Sequence, residues 1–213
     1  MKQTRLGLLD SKSLSFLSSG ELLNFEHKIL SKGSMLYSDD LKIVILREGL
    51  AKISFLEEGE EFILYQVQKN NITVLDPSCA MEILEDNSEV YLISVDKFEP
   101  LLDNSEFAKA YYQNILNIML LQRKVIKSIL FENAKGRIAH FLIELAKEQD
   151  LKQNGYYYLF LPFSLKVLSS FVGLKRQSAS TAFNELVKDD IIRKITPHEF
   201  LIIDFEKLQS YVI

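Results

Sequence analysis

Between residues 164 and 192 the chain reads SLKVLSSFVGLKRQSASTAFNELVKDDII, and its apolar positions change phase once. Leu165, Leu168, Phe171 and Val172 fall on one face of a short helix. Ala179, Phe183, Leu186 and Val187 then recur at i, i+4, i+7 and i+8, the spacing that lays a second helix on a core. Gly173 sits at the change of phase, where a residue without Cβ is least strained in a sharp turn. The second helix, over about 175–188, keeps Arg176, Gln177, Ser180, Thr181 and Asn184 on its polar side. Small side chains at Ala179 and Ser180 leave it thin enough for a major groove about 12 Å wide. Ile191, Ile192 and Ile195, a turn at Thr196-Pro197-His198-Glu199, and residues 200–203 predict a β-hairpin directly afterwards. Helix, turn and helix alone also describe an ordinary core hairpin. With the hairpin as a wing, the pattern narrows to a reader of double-stranded DNA.

Residues 41–95 carry a different pattern: short β-rich runs (KIVILREG, LAKISFLEEGEE, FILYQVQKNN, ITVLDPSCAMEIL, EVYLISV) separated by acidic or Asn-containing turns. This predicts a small antiparallel barrel or sandwich, with Glu57-Glu58-Gly59-Glu60 as one hairpin turn. The stretch up to about Ser38 reads as helical at first and irregular after. A long helix follows over 103–131, where Ala108, Tyr112, Ile115, Met119, Gln122, Ile126 and Ile129 form a heptad-like seam. Tyr111, Leu116, Ile118 and Val125 widen its apolar face. Such a helix needs more than one partner, and the seam assigns it the barrel and the same helix of a second subunit; the alternative is a monomer that buries it. A further helix over 135–148 sets Ile138, Phe141, Leu142 and Leu145 on one face, and a turn at 150–156 leads to a strand at 157–161. The expected fold class is α+β. Its parts are a β-barrel sensor domain over 1–102, a dimerisation helix over 103–133 and a winged helix-turn-helix domain over 134–213.

Composition changes the picture in two ways. With 213 residues and 47% hydrophobic content the chain supplies ample core. The N-terminal residues hold no continuous apolar segment of secretory-signal length, and residues 111–131 are interrupted by Gln113, Asn114, Asn117, Gln122, Arg123, Lys124 and Lys127. No membrane contact and a cytoplasmic location are expected. The net charge of −4 argues against nucleic acid until its distribution is considered. From residue 134 onward 11 Lys and Arg face 9 Asp and Glu, a balance of +2, so the remainder carries −6. That asymmetry suits a chain of which only the back half meets phosphate. An enzyme is not expected: His27, His140 and His198 are far apart in sequence, and neither a Gly-rich phosphate loop nor a Gly-x-Ser-x-Gly elbow occurs.

An acidic barrel, a long helix and a winged helix-turn-helix, in this order and size, resemble the Crp/Fnr family of bacterial transcription regulators. The most specific stretch is 161–192, where Ser164, Gly173 and the run Arg176-Gln177-Ser178-Ala179-Ser180 match the family pattern. REGLAKISFLEEGEEFILYQV resembles the family's barrel hairpin, with glycines at Gly49 and Gly59. The resemblance implies a jelly-roll (double-stranded β-helix) barrel and a homodimer on pseudo-palindromic promoter DNA, with RNA polymerase as a further partner. It places Arg176, Gln177, Ser180 and Thr181 where family members reach base edges. Gln177 stands where many members have Glu and Thr181 where many have Arg, which implies a half-site other than the commonest one. Arg suits guanine O6 and N7, and Gln suits adenine N6 and N7. Ser164, Lys175 and Ser178 are better placed for phosphates, and Asn184 completes the exposed face.

The signal is less legible. Family barrels that bind cyclic nucleotides carry a Gly-Glu … Arg-Ser/Thr-Ala cassette, which here shrinks to residues 70–80, and no arginine lies between Arg47 and Arg123. Cyclic AMP is therefore not expected, for lack of a bidentate phosphate partner. An iron–sulfur cluster is not expected either, since Cys79 is the single cysteine. Cys79 is a candidate haem ligand or redox-active thiol, with His27 as a candidate second ligand; the alternative is plain core packing. Tyr111, Tyr112 and Met119 could line an apolar ligand pocket or belong to core. Three functions remain: a regulator with a redox, haem, nitric oxide or other small-ligand signal, an effector-independent regulator, and a ligand-binding barrel whose C-terminal domain serves protein interaction.

Overall fold

The structure is a computed structural model that describes residue 17 and residues 19–212. Much of the helical start predicted ahead of the barrel, and most of the N-terminal stretch read for a secretory signal, fall outside the described residues. Packing divides the chain into two units, residues 1–122 and 123–213, and the division falls within the long helix.

The first unit opens with α1 (Ser19–Leu22) and runs through eight strands: β1 (Glu26–Leu30), β2 (Met35–Leu36), β3 (Lys42–Glu48), β4 (Leu50–Glu57), β5 (Glu60–Gln68), β6 (Asn71–Leu75), β7 (Ala80–Ile83) and β8 (Ser88–Ser94). They form two antiparallel sheets in the orders β1-β8-β3-β6 and β2-β7-β4-β5. The alternation of β3, β4 and β8 puts Val44, Leu46, Ala51, Ile53, Val90 and Leu92 into one shared core between the sheets. Ile43, Ile45, Tyr91 and Ile93 point to the opposite face, into a second cluster with Phe98, Leu101 and Phe107. The predicted hairpin turn is present, with Glu57 paired to Glu60 and both Glu58 and Gly59 at positive φ (50° and 81°), the two-residue turn that matches strand twist. At Gly49 (φ 100°) an added Cβ would meet Ser88 Oγ at 2.0 Å, so this turn admits only glycine.

β1 and β2 are strands in a stretch whose sequence predicts a helix followed by irregular chain. The β1 sequence, EHKIL, has no residue that becomes fully buried, so its pattern carries little signal. Its five-residue ladder with β8 holds it in place instead.

After α2 (Val95–Phe98) and a 3-10 turn (Glu99–Asp103) comes α3 (Ser105–Phe131), 27 residues long. Phe107, Asn114, Ile118, Leu121 and Val125 are buried along one side, at steps of seven, four, three and four. Ile118 and Leu121 join the inner barrel core, and the Asn114 amide donates to the Ile72 carbonyl. The neighbouring row behaves otherwise: Tyr112 is 56% exposed, Met119 39%, Ile126 56% and Ile129 38%. The helix therefore carries two parallel rows, one covered by its own chain and one open.

The second unit continues with α4 (Ala134–Gln149), β9 (Lys152–Gln153), β10 (Tyr156–Phe160), α5 (Leu165–Val172), α6 (Arg176–Lys188), β11 (Ile192–Lys194), β12 (Glu199–Ile202) and α7 (Phe205–Gln209). Asn133 caps α4 by accepting from Gly136 N at 2.9 Å. Ile138, Phe141, Leu142 and Leu145 are all buried, as their spacing predicts. The rings of Phe141, Phe163 and Phe171 meet at centroid distances of 5.4 to 6.0 Å and tie α4 to α5. Phe171 is 1% exposed, and Phe171→Ala should cost about 3–5 kcal/mol of stability through lost contacts and the cavity left behind. Urea unfolding of the two proteins measures this directly; a loss under about 1 kcal/mol would mean that the site collapses around the gap.

Candidate nucleic-acid interface

The turn between α5 and α6 is built on Gly173, which adopts the left-handed conformation (φ 63°, ψ 43°) and closes α5 by donating its N–H to Ser169 O. Two residues later Lys175 begins α6 without a side-chain cap. Ala179, Ala182, Phe183 and Leu186 form the buried face of α6, and Phe183 meets Phe200 of β12 edge to face at 5.2 Å. Val187, expected in the core, is only half-buried, while Ala182 replaces it there. Alanine at 179 and 182 lets α6 lie close on its neighbours, and the polar side is turned outward as a consequence.

On that outward side Lys175, Arg176, Gln177, Ser178, Thr181 and Asn184 are exposed. Ser180 is half-buried at the margin. Ser164 is exposed at the start of α5, in extended conformation with no side-chain cap bond. The fold thus gathers seven of the eight predicted DNA-facing residues onto α6 and the turn before it, with Ser164 at the start of α5. It also adds residues that the sequence reading missed. Asn133, Lys135 and Tyr211 line an open groove of about 800 Å³ together with Lys175, Gln177, Ser178 and Thr181. Lys135 is paired with Glu185 at 2.8 Å and lies 3.8 Å from Asp189, and the bond to Glu185 raises its pKa. No local sequence signal announces these residues, because they lie more than 20 positions away from α6 and only packing brings them to it.

The predicted wing is β11 and β12, with Ile192, Arg193 and Lys194 opposite Ile202, Leu201 and Phe200. Lys194 is exposed there, while Arg193 forms a two-oxygen contact with Asp190 at 3.0 and 3.1 Å. Tyr158 of β10 donates to Glu199, which holds that carboxyl below its ordinary pKa and anchors the wing to the sheet.

The candidate sensor residues are not brought together. Cys79 follows the turn from β6 to β7 and is 9% exposed in the inner barrel core. Burial pushes its thiol pKa up, and its Sγ lies 3.8 Å from Asp76 O. His27 instead stacks on Tyr91 at 4.6 Å and pairs with Glu89 at 3.0 Å, and Tyr91 belongs to the other core cluster. Residues 70–80 hold β6, which pairs with β3, and the turn Asp76-Pro77-Ser78, in which Asp76 accepts from Ser78 N at 2.7 Å. Among the described residues of the barrel, Lys52 is a buried cation, set between Glu61 at 2.8 Å and Glu82 at 2.9 Å. Burial alone would lower its pKa, but the bonds to the two carboxylates outweigh that and raise it. Among the described residues no group of three or more His, Cys, Asp and Glu is arranged to hold a metal, and no helix is long and apolar enough to cross a membrane.

A short helix, a glycine turn and a second helix with its polar half exposed beside a wing define a helix-turn-helix DNA-binding domain. Residues 136–211 match the family model of the Crp-like helix-turn-helix domain. No curated protein matches the sequence. Among solved structures, the chain is similar to a double mutant of CooA from Carboxydothermus hydrogenoformans, with 20% identity, 95% of each chain covered and a TM-score of 0.83. The imidazole-bound form of CooA is described as a CO-dependent transcription factor. It is also similar to OCPA-complexed CprK, with 16% identity, 99% of each chain covered and a TM-score of 0.79. A third is a Crp/Fnr-family regulator from Eubacterium rectale, with 15% identity, 94% of this chain and 97% of that chain covered, and a TM-score of 0.66. At these identities the likeness establishes the fold. Together with the matching Crp-like helix-turn-helix domain over residues 136–211, it supports a DNA-binding transcription regulator.

Proposed function

We propose that this protein is a cytoplasmic, non-enzymatic homodimer that places α6 of each subunit in the major groove of a pseudo-palindromic promoter site, under control of a signal received at the barrel. The observation that carries this reading is the exposed face of Arg176, Gln177, Thr181 and Asn184 in a Crp-like helix-turn-helix domain. Arg176 and Gln177 read base edges with Ser180 and Thr181, while Ser164, Lys175 and Ser178 hold phosphates. The second subunit covers the open row of α3, where Tyr112, Met119, Ile126 and Ile129 leave an apolar stripe unlike a solvated helix face. RNA polymerase is the further partner that the regulator class implies. Selection of binding sites from random duplex DNA tests the reading. Two half-sites about 34 Å apart, one helical turn, are expected; an unstructured pool would overturn it.

The signal is a small ligand other than a cyclic nucleotide. No arginine lies between Arg47 and Arg123 to pair a phosphate, and the buried Lys52 is already matched by two carboxylates. Haem is one candidate, and the likeness to CooA, described as a CO-dependent transcription factor, and to CprK complexed with OCPA supports a ligand signal in general. We do not assign His27 and Cys79 as a ligand pair, because Cys79 packs in the inner barrel core while the exposed His27 is engaged by Tyr91 and Glu89. A direct redox role for Cys79 is disfavoured by a thiol that burial keeps protonated. Cys79→Ser should therefore bind DNA equally under oxidising and reducing conditions, as should the wild type. A redox response present in the wild type and absent in Cys79→Ser would return the cysteine to the sensor. An absorbance spectrum of the protein with added haem decides that candidate separately.

A further inference from the structure

The guanidinium of Arg137, in the first turn of α4, donates to main-chain oxygens from three segments: Ile129 O in the last turn of α3 at 2.8 Å, Glu132 O in the linker at 3.1 Å, and Gly173 O in the helix-turn-helix turn at 3.0 Å. The carbonyls at the end of α3 have no partner within the helix, so a cation there meets an unmet need. The third contact is different in kind. Gly173 O belongs to the peptide that leads into Leu174 and Lys175, directly ahead of α6. One rigid, planar group thus connects the end of the helix assigned to dimerisation with the turn that aims the recognition helix.

The elbow around it is held as well. Glu132, 7% exposed, accepts from Ser128 Oγ and faces His140 Nδ1 at 3.0 Å. The core between α4, α5 and α6 is apolar and non-directional, and tolerates a small rotation better than a three-point hydrogen-bonded fork does.

We infer that Arg137 is a positioning residue that sets the half-site spacing this regulator accepts. It touches no base; it fixes the angle at which α6 leaves the end of α3. The inference rests on the dimeric reading above. One base pair more or fewer between half-sites turns one of them by roughly 35° and moves it about 3.4 Å, which a fixed pair of helices cannot follow. Lysine keeps the charge but offers its donors from a single atom, and cannot span the three oxygens.

The test compares the wild-type full-length dimer with Arg137→Lys and Arg137→Gln on three duplexes: the selected site, the same site with one base pair inserted between half-sites, and the site with one half scrambled. The wild type should lose about tenfold or more on insertion, and both variants about threefold or less, because a looser elbow follows the displaced half-site. Binding to the duplex with a single intact half should stay within about twofold in all three proteins, since base contacts are untouched. Variants that keep the full insertion penalty overturn the inference. So do variants that lose single-half and two-half binding in proportion, which would mark Arg137 as merely structural. If the wild type itself shows no preference between one and two half-sites, the dimeric reading fails, and this inference with it. Arg137→Lys, which keeps the charge at the elbow, serves if the glutamine variant does not fold.

Discussion

Ile126→Arg is expected to turn the protein into a monomer and to lower its affinity for a two-half-site duplex by about 100-fold or more, because the second half-site then no longer binds as part of one molecule. Ile126 is 56% exposed in the single chain, on the open row of α3. A charge at that position costs the isolated subunit little, since surface changes away from packed groups fall within about 0.5 kcal/mol. In a symmetric dimer, two such charges would oppose each other in an apolar seam. Sedimentation should show a species near 24.6 kDa for the variant and twice that for the wild type. An unfolded variant would point to burial of Ile126 within one chain, and an unchanged dimer would place the interface elsewhere. Met119→Arg, two turns earlier on the same row, should behave alike.

Arg176→Ala should weaken specific binding by roughly 10- to 100-fold, the cost of one bidentate guanine contact at about 1–3 kcal/mol. Its effect should be uneven across sequences. Affinity for non-specific duplex falls much less, since Lys175 and Ser178, proposed to meet phosphates, remain. Discrimination should disappear at one base pair in each half-site and persist at the others. Equal loss on specific and non-specific DNA would reassign Arg176 to a phosphate. Gln177→Ala is expected to relax an adjacent position in the same way, where adenine is the preferred base.

The regular parts of this architecture are legible in the sequence because each depends on neighbours a few residues away. Gly173 between two helical phases marks the helix-turn-helix turn, and its left-handed backbone is what that position requires. Glu58-Gly59 marks the β4–β5 turn for the same reason. The exposed face of α6 follows from the positions of Ala179 and Phe183 alone.

What stays hidden depends on distant groups. EHKIL in β1 carries no strong alternation, and its strand character comes from the ladder with β8, about 60 residues later. The two rows of α3 look equally apolar in sequence, and only the barrel decides that Ile118 and Leu121 are covered while Tyr112 and Met119 are open. His27 and Cys79 read as a candidate pair because residue types alone do not reveal that Cys79 packs in the inner core while His27 is exposed against Tyr91 and Glu89. Lys135 and Tyr211 at the groove, and the three oxygens held by Arg137, are brought together only by packing of the second unit.

Guanine N7 methylation interference on the selected site tests the central claim, that two copies of α6 read two half-sites, most directly. Methylation at one guanine in each half-site, the two symmetric about the centre and about one helical turn apart, should block wild-type binding and cease to matter in Arg176→Ala. Interference confined to a single half, or a pattern that Arg176→Ala leaves unchanged, would contradict the account.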